Sequence, residues 1–564
     1  MEDDARSTSP SSVSTYPAVY EDATDAHVLD PRRALDLHHV ASSSPDLNLK
    51  IKPSLPSLAN VGLSRTRTLP LRSPRRSISI FPTLQGISFE VENVERLRRW
   101  VLGLAIGNFD FDLEQGPSLN CIFPPLPLYP FEAENIAFSA FPDSALFKEG
   151  SETHSFRIRE QVARTNQGGS SLFDYRRVAS PDGFLYGFSH FTQERSATSK
   201  RGYSQRCIVV LTHHPYPALF CALLDKLGPL YHAHGDPILE VASHNIAKWP
   251  PPVPGSTKEL GFLGSVLHVE LPRDLDEQQL GNGPHMHAVT DQDWHLLACL
   301  PPIAPLSIIQ IFEASLSHLW SIWECLVLCE PIIIFGQSPA WTSNAIWWLR
   351  DVIRPIPWVG DFRPYFTIHD KEYKTLVNEK APKAGLLLGV TNPFFEKTCS
   401  HWPHVLTLGG KSSHQDPPAR FGPSPGWKTK THKRYTSKDR QLLRILETTA
   451  ESGSAKALAE GSFNLRRHLS SRSAAVLVPL NRYLNTLIPR PSEASTGLRL
   501  KSFNNANFFA SLKTHGAVLP FRSGAKQREF YERWLRTPAF GMWLARQEDL
   551  VSRTLGNARD EKES

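Results

Sequence analysis

From Val91 onward the chain alternates apolar and polar runs at two periods, and the change of period divides it into blocks. Val94, Leu97 and Trp100 recur every three residues, predicting a short amphipathic helix over Val94 to Trp100, and Val101 to Leu113 reads as an apolar strand closed by Gly116-Pro117. Further strands are predicted at Ser155 to Arg159, Gly183 to Thr192 and Arg206 to Leu211, and Pro215-Tyr216-Pro217 leads into a helix over Ala218 to Leu227. Clustered strands followed by a helix make an α+β lobe, assigned to residues 91–248. The run Trp249-Pro250-Pro251-Pro252-Val253-Pro254-Gly255 must be extended, because each proline fixes φ and keeps its predecessor out of the α region. Residues 249–258 are therefore assigned as a hinge.

Past it the rhythm changes. A single helix is expected from Phe312 to Cys329, with Phe312, Leu316, Leu319, Trp320, Trp323 and Val327 on neighbouring turns. Pro331 stops it, and Ile332 to Phe335 is short and wholly apolar, as a strand covered on both faces would be. Ser338-Pro339 opens the next helix as N-cap and N1. Leu386 to Val390 and Val405 to Leu408 repeat the buried-strand pattern around Asn392-Pro393 and a short helix, so residues 259–410 read as an α/β lobe with parallel pairing. Lys411 to Arg444 carries nine Lys and Arg against Asp416 and Asp439, and residues 411–437 are assigned as a basic linker. Residues 438–564 read as helical, through Leu442, Ile445 and Leu446, then Val476 to Leu487, then Phe530 to Val551 around Pro538. The fold class is α/β overall.

Composition refines this in three places. Residues 1–82 hold 14 serines and 9 prolines, with Tyr16, Tyr20 and Phe81 as their aromatics, too little apolar surface to offset ordering entropy; residues 1–90 are assigned as a disordered tail. Its last part carries Arg65, Arg67, Arg72, Arg75 and Arg76 without an acidic residue, a charge that suits an anionic membrane or phosphorylation at Ser73 or Ser77, or simply a solvated tail. A net charge of +6 over 564 residues is too mild for a polybasic nucleic-acid binder. Seven widely spaced cysteines in mostly apolar runs, and an N-terminus without a basic and apolar leader, predict reduced thiols and a cytoplasmic protein.

Signatures of covalent chemistry are scarce. Gly409-Gly410-Lys411-Ser412 follows a strand, but a phosphate loop needs glycine where Val405 stands. Cys325, Cys329 and His318 share a helical face without a second ligand pair, and read as core. His213-His214, His285 and His287 read as solvated loop histidines. With no hydrolase elbow, zinc-protease motif or dinucleotide fingerprint, the expectation is a protein without metal or cofactor that acts by binding.

The aromatic and Pro/Gly motifs form an ordered series. It begins with Asn108-Phe109-Asp110-Phe111-Asp112-Leu113-Glu114-Gln115-Gly116, Ile122-Phe123-Pro124, Phe138-Ser139-Ala140-Phe141-Pro142-Asp143-Ser144 and Phe156-Arg157-Ile158-Arg159. It continues with Tyr186-Gly187-Phe188, Lys200-Arg201-Gly202-Tyr203-Ser204-Gln205 and the proline run from Trp249 to Gly255. In the middle block follow Leu319-Trp320, Glu324-Cys325-Leu326, Glu330-Pro331, Asp361-Phe362-Arg363-Pro364-Tyr365-Phe366, Thr391-Asn392-Pro393-Phe394-Phe395 and His401-Trp402-Pro403-His404. Over roughly residues 99–409 this series resembles the tripartite DENN module, specifically the DENN domain-containing protein 6 family. The long Ser/Pro tail departs from the family pattern, and the helical end matches it in outline.

The resemblance implies a longin-like N-terminal lobe, an α/β second lobe and a helical third part. It further implies a guanine nucleotide exchange factor for a Rab-family small GTPase, peripheral on endosomal or late secretory membranes; the alternative is a scaffold or effector that binds an activated Arf- or Rab-type GTPase. On that reading the GTPase sits in a groove between the lobes, and Asp361, Phe362, Arg363, Tyr365, Asn392 and Phe394 are the candidate contacts, a charged and aromatic set between predicted elements. The competing reading has Arg363 paired internally with Asp361 or Asp370, the aromatics in the core and Asn392 starting a turn before Pro393. Lys428, Lys430, Lys433 and Arg434 are candidates for contact with anionic membrane, against a solvated linker.

Overall fold

In a computed structural model the described residues are 89–109, 116–143, 149–161, 177–197, 202–281, 293–302, 307–410, 422–489 and 500–563. The expected disordered tail up to residue 88, the motif residues 110–115 and 200–201, His285, His287 and the basic residues 411–421 lie outside them.

The first lobe runs α1 (Val91–Leu97), β1 (Gly103–Asn108), β2 (Ser118–Phe123), α2 (Pro130–Ala140), β3 (Gly150–Arg159), β4 (Phe184–Arg195), β5 (Tyr203–Thr212), α3 (Pro217–His234) and α4 (Pro237–Ala247). Its strands form one antiparallel sheet in the order β2-β1-β5-β4-β3. Strand β4 is apolar without alternation from Phe184 to Phe188 because both faces are covered. Tyr186 and Phe188 share a core with Phe220 of α3, while Leu185 and Phe191 share another with Ile136 and Ala140 of α2. Gly187 lets Phe156 of β3 cross the sheet, since a Cβ there would meet that ring at 2.1 Å. Helix α2 was absent from the sequence reading; it starts on Pro130, and Glu132 turns back to accept a hydrogen bond from the Tyr129 N–H at 3.0 Å.

The proline run leaves this lobe extended but anchored. Trp249 is buried, its Nε1 donates to the Gly261 carbonyl at 2.8 Å, and Trp100 Nε1 donates to the Pro250 carbonyl at 2.9 Å. The two indoles meet edge to face, with centroids 5.5 Å apart.

A small sheet follows, β6 (Thr257–Phe262), β7 (Ser265–Glu270) and β8 (Asp293–Leu297), with β6 and β7 antiparallel and β7 and β8 parallel. Leu263 and Gly264 both take positive φ, 46° and 80°, the geometry of a tight hairpin turn. The helix expected over Phe312 to Cys329 is instead α5 (Ile308–Ile311), a 3-10 turn (Glu313–His318) and α6 (Leu319–Val327). The interruption is tertiary: the Ala314 N–H donates to the Gly409 carbonyl, and Gly409 N–H donates to Ile311, which takes backbone groups out of the helical ladder.

Next come β9 (Ile332–Phe335), α7 (Pro339–Val352), β10 (Phe362–Arg363), α8 (Tyr373–Leu376), β11 (Leu387–Val390), α9 (Phe394–Thr398), β12 (His404–Thr407) and β13 (Gly426–Thr429). They form the sheet β10-β11-β9-β12-β13, with the first four strands parallel and β13 antiparallel on the edge. The segment assigned as a basic linker therefore contains a sheet strand, and it ends in buried Tyr435 and Thr436.

The helical part comprises α10 (Arg440–Ser452), α11 (Ala455–Asn485), α12 (Asn505–His515), α13 (Gly524–Trp534) and α14 (Pro538–Glu563). One apolar cluster reaches from Leu97 and Trp100 through Trp320 and Trp348 to Trp534 and Trp543, so all three blocks share a core. Among the described residues no helix is long and apolar enough to cross a membrane.

Candidate functional site

The two sheets meet along β3 and β10, and that seam gathers the charged residues of both lobes. On β3, Arg157 and Arg159 alternate with Phe156 and Ile158, so both guanidinium groups leave the strand on one face. Arg157 donates to Asp182 at 3.1 Å and across the seam to Asp361 at 3.0 Å, and its guanidinium lies 3.4 Å above the Phe184 ring. Arg363, fully buried, donates to both Asp361 oxygens at 3.0 Å, to the Arg157 carbonyl at 3.2 Å and to Glu372. Glu372 also accepts from Arg159 at 2.8 Å.

Further bonds cross the seam. Trp347 Nε1 of α7 donates to Ser155 Oγ at 2.8 Å, and Glu152 accepts from the Ala340 N–H in the first turn of the same helix at 2.7 Å. Tyr365 inserts its ring into the first lobe's second core; its hydroxyl accepts from Asp143 N–H at 2.9 Å, and Thr391 Oγ1 donates to the Asp143 carboxylate. Burial pushes the Asp143 and Glu152 carboxyls above the usual range.

These contacts correct part of the expected site. Phe362, Arg363 and Tyr365 are buried and Asp361 is committed to three arginines, so they bind the lobes together instead of facing a partner. The internal pairing weighed against the site, Arg363 with Asp361, is what the structure holds. The seam they line is filled by side chains, not an open groove. Asn392 and Phe394 differ. Asn392 Oδ1 accepts from the Phe394 N–H at 3.0 Å in a turn that spans Pro393, the turn weighed against Asn392 as a contact, while Phe394 is 53% exposed. This knuckle follows the C-terminal end of β11, the end at which parallel sheets of open α/β folds bind ligands. Exposed Ile368 stands beside His369, whose ring stacks on Phe138 of α2 at 4.0 Å. Both patches flank the Asp143, Tyr365 and Thr391 node, which ties them to both lobes.

The basic set divides as well. Lys428, Lys430 and Lys433 are exposed on and after the edge strand β13, with Lys430 Nζ donating to the Ser400 carbonyl at 2.6 Å, whereas Arg434 is partly buried. His213 and His214, expected in solvent, are packed: His213 meets Glu160 at 3.3 Å, and His214 contacts the Arg99 carbonyl at 2.8 Å and stacks on Tyr216. Sequence reasoning missed Asp143, Glu152 and Arg157 as seam residues; for Arg157 and Arg159 the signal was there, two arginines at strand spacing in a lobe that buries both faces of its sheet.

Comparison with known proteins adds an outside reference. No family model matches the chain. It is similar to DENND6B of Mus musculus, 30% identical over 467 residues that cover 79% of each protein. It is also similar to DENND6A of Gallus gallus, 29% identical over 462 residues and 78% of each, and to the DENND6 homolog of Dictyostelium discoideum, 26% identical over 524 residues.

Proposed function

Because the chain belongs to the DENND6 family of DENN-domain proteins, we propose that it is a guanine nucleotide exchange factor for a Rab-family small GTPase, which it engages on the rim of the lobe seam. The observation that carries this reading is the Asn392 to Phe394 knuckle, an exposed aromatic on a backbone that both lobes hold in place. A protruding aromatic on a rigid support is the usual form of an interface anchor.

Exchange needs no general acid, base or nucleophile. A GTPase that holds its nucleotide at nanomolar to picomolar affinity is stabilised by about 12 to 16 kcal/mol. The factor releases the nucleotide by binding the empty state more tightly than the loaded one, so differential affinity between the two states is the whole mechanism. In this reading Phe394 and Ile368 supply apolar contact, Asn392 supplies polar contact, and the seam residues Arg157, Asp361, Arg363 and Tyr365 keep the surface from yielding as the GTPase distorts. Exposed Lys428, Lys430 and Lys433 add attraction to the anionic face of endosomal or late secretory membranes, at ~1 kcal/mol for each cation near the headgroups.

The test is release of a fluorescent guanine nucleotide from a panel of purified Rab proteins. Phe394→Ala is expected to slow release from the cognate Rab about tenfold or more, while thermal stability stays within about 0.5 kcal/mol of the parent, because the side chain is largely in solvent. Full activity in that variant would remove the knuckle from the interface.

A further inference from the structure

A cleft of about 440 Å³ opens in the helical part, between α10, α11 and the turn at residues 518–520. None of its lining residues takes part in the lobe seam. Its floor is a single face of α11, where Asn464, Arg467, His468, Ser471 and Arg472 recur at helical spacing. Leu442 and Leu519 give it apolar sides.

Among the described residues the floor is rich in donors without a protein partner. Among the described residues Asn464, Arg467 and Ser471 make no hydrogen bond or ion pair, and Asn464 and Arg467 are exposed to the cleft's solvent. Arg472 is 7% exposed, with one bond to the Ser437 carbonyl at 3.2 Å, and its buried Nε has no acceptor. A guanidinium so nearly removed from water normally has all its donors matched. Burial holds it below its usual range despite the attraction of Glu324 and Asp439; Glu324 is itself engaged by four donors of the 432–436 segment, which leaves an excess of guanidinium over free carboxylate.

The other titratable groups leave that excess in place. His468 Nε2 accepts from Trp320 Nε1 at 3.1 Å, which makes the imidazole neutral on that side, and its Nδ1 lies 3.9 Å from Asp439. Asp439 already caps α10 by accepting the Leu442 N–H at 2.9 Å. Two guanidinium groups thus face one engaged carboxylate, with an amide and a hydroxyl beside them.

We propose that this cleft binds a phosphate monoester, with Arg467 and Arg472 pairing its charge, Asn464 and Ser471 donating to its remaining oxygens, and the Leu442 and Leu519 sides covering the group that bears it. Four donor side chains from one face outnumber the two oxygens of a carboxylate and suit the three free oxygens of a phosphate monoester. The volume exceeds a bare anion and falls within the range of small-molecule pockets. The phosphate can arrive on a lipid headgroup or on a soluble metabolite.

Two probes on the full chain separate these sources: inositol monophosphate by calorimetry, and flotation with phosphatidylcholine vesicles containing either phosphatidylinositol monophosphate or phosphatidylserine at equal charge. Binding of both phosphate probes, with preference over phosphatidylserine, identifies a headgroup site; binding of the soluble probe alone identifies a metabolite site. In either case Arg467→Glu is expected to weaken binding of the soluble probe about tenfold or more. Because Arg467 is exposed and unpaired, that variant keeps the fold, and Arg472→Gln serves as the second variant. Lys374→Gln, exposed on α8 of the second lobe, leaves binding of the soluble probe unchanged. Failure of the chain to bind either phosphate probe, equal flotation with phosphatidylserine vesicles without binding of the soluble probe, or unaltered affinity for the soluble probe in Arg467→Glu would overturn the proposal.

Discussion

Replacing Arg363 with methionine is expected to destabilise the protein by about 3 to 5 kcal/mol, although the new side chain is apolar and similar in length. The buried guanidinium answers Asp361, Asp370 and Glu372 at once, and Asp361 also receives Arg157 from the other lobe. Without it three acidic groups share a poorly solvated site with Arg157 and Arg159, and the seam loses the bond from Arg363 to the Arg157 carbonyl. The loss also has a pH signature. Burial pushes the Glu372 carboxyl up, and Arg363 followed by Arg159 more than reverses this, holding it below the usual range. Its contribution is therefore complete above the ordinary glutamate pKa and is lost as pH falls through the depressed native value. Denaturant titrations at neutral pH and in acid should show the parent and Arg363→Met converging as the medium becomes acidic. A variant with the parental midpoint at neutral pH would show that the seam does not depend on this residue.

The second large effect is expected at Glu324. Its carboxylate, fully buried on α6, accepts from Thr436 N–H and Oγ1 at 2.6 Å each, from Tyr435 N–H at 3.0 Å and from His432 Nε2 at 2.9 Å. The segment it gathers then bonds to the chain leading into α13, through Ser437 N–H to Pro520 and Arg522 N–H to Tyr435. Glu324→Ala leaves several buried donors without an acceptor, at a cost of about 3 kcal/mol or more. Hydrogen exchange is the measurement: protection at residues 432–437 and in α13 should fall, while strands β3, β4 and β5 keep theirs. Unchanged protection at 435 and 436 would mean that other contacts hold the helical part in place.

Much of the architecture was legible because each block announces its period. The apolar runs at Ile332 to Phe335, Leu386 to Val390 and Val405 to Leu408 became parallel strands β9, β11 and β12, and Ser338-Pro339 stands at the N-cap and N1 of α7, although Glu152 of β3 and not Ser338 accepts the first-turn N–H. What escaped was decided by tertiary contact. The α5 to α6 segment carries a continuous apolar face, yet Gly409 diverts its backbone bonds. Strand β13 is short, with Gly426 and Trp427 half-buried and Lys428 and Thr429 exposed, and its pairing with β12 makes it a strand.

The candidate site shows the same division. The residue types in Asp361 to Tyr365 are those of a binding loop, and they are equally those of a buried ion-pair network; local sequence does not carry the partner Arg157, 204 residues away. Phe394, by contrast, follows Asn392-Pro393, a turn that lifts the next side chain off the sheet, and it emerges exposed. The cleft on α11 was not anticipated, because its donors are spread over a long helix and acquire meaning only beside α10 and the 518–520 turn.

The most direct measurement of the central claim is nucleotide-state preference. The full chain would be mixed with each Rab of a panel in three forms, stripped by chelator and phosphatase, loaded with GDP, or loaded with a non-hydrolysable GTP analogue, and complexes resolved by gel filtration. The account predicts co-elution with the stripped form of at least one Rab and dissociation when GDP or GTP is added back. A complex that forms with the GTP-loaded protein and not with the stripped one would contradict it.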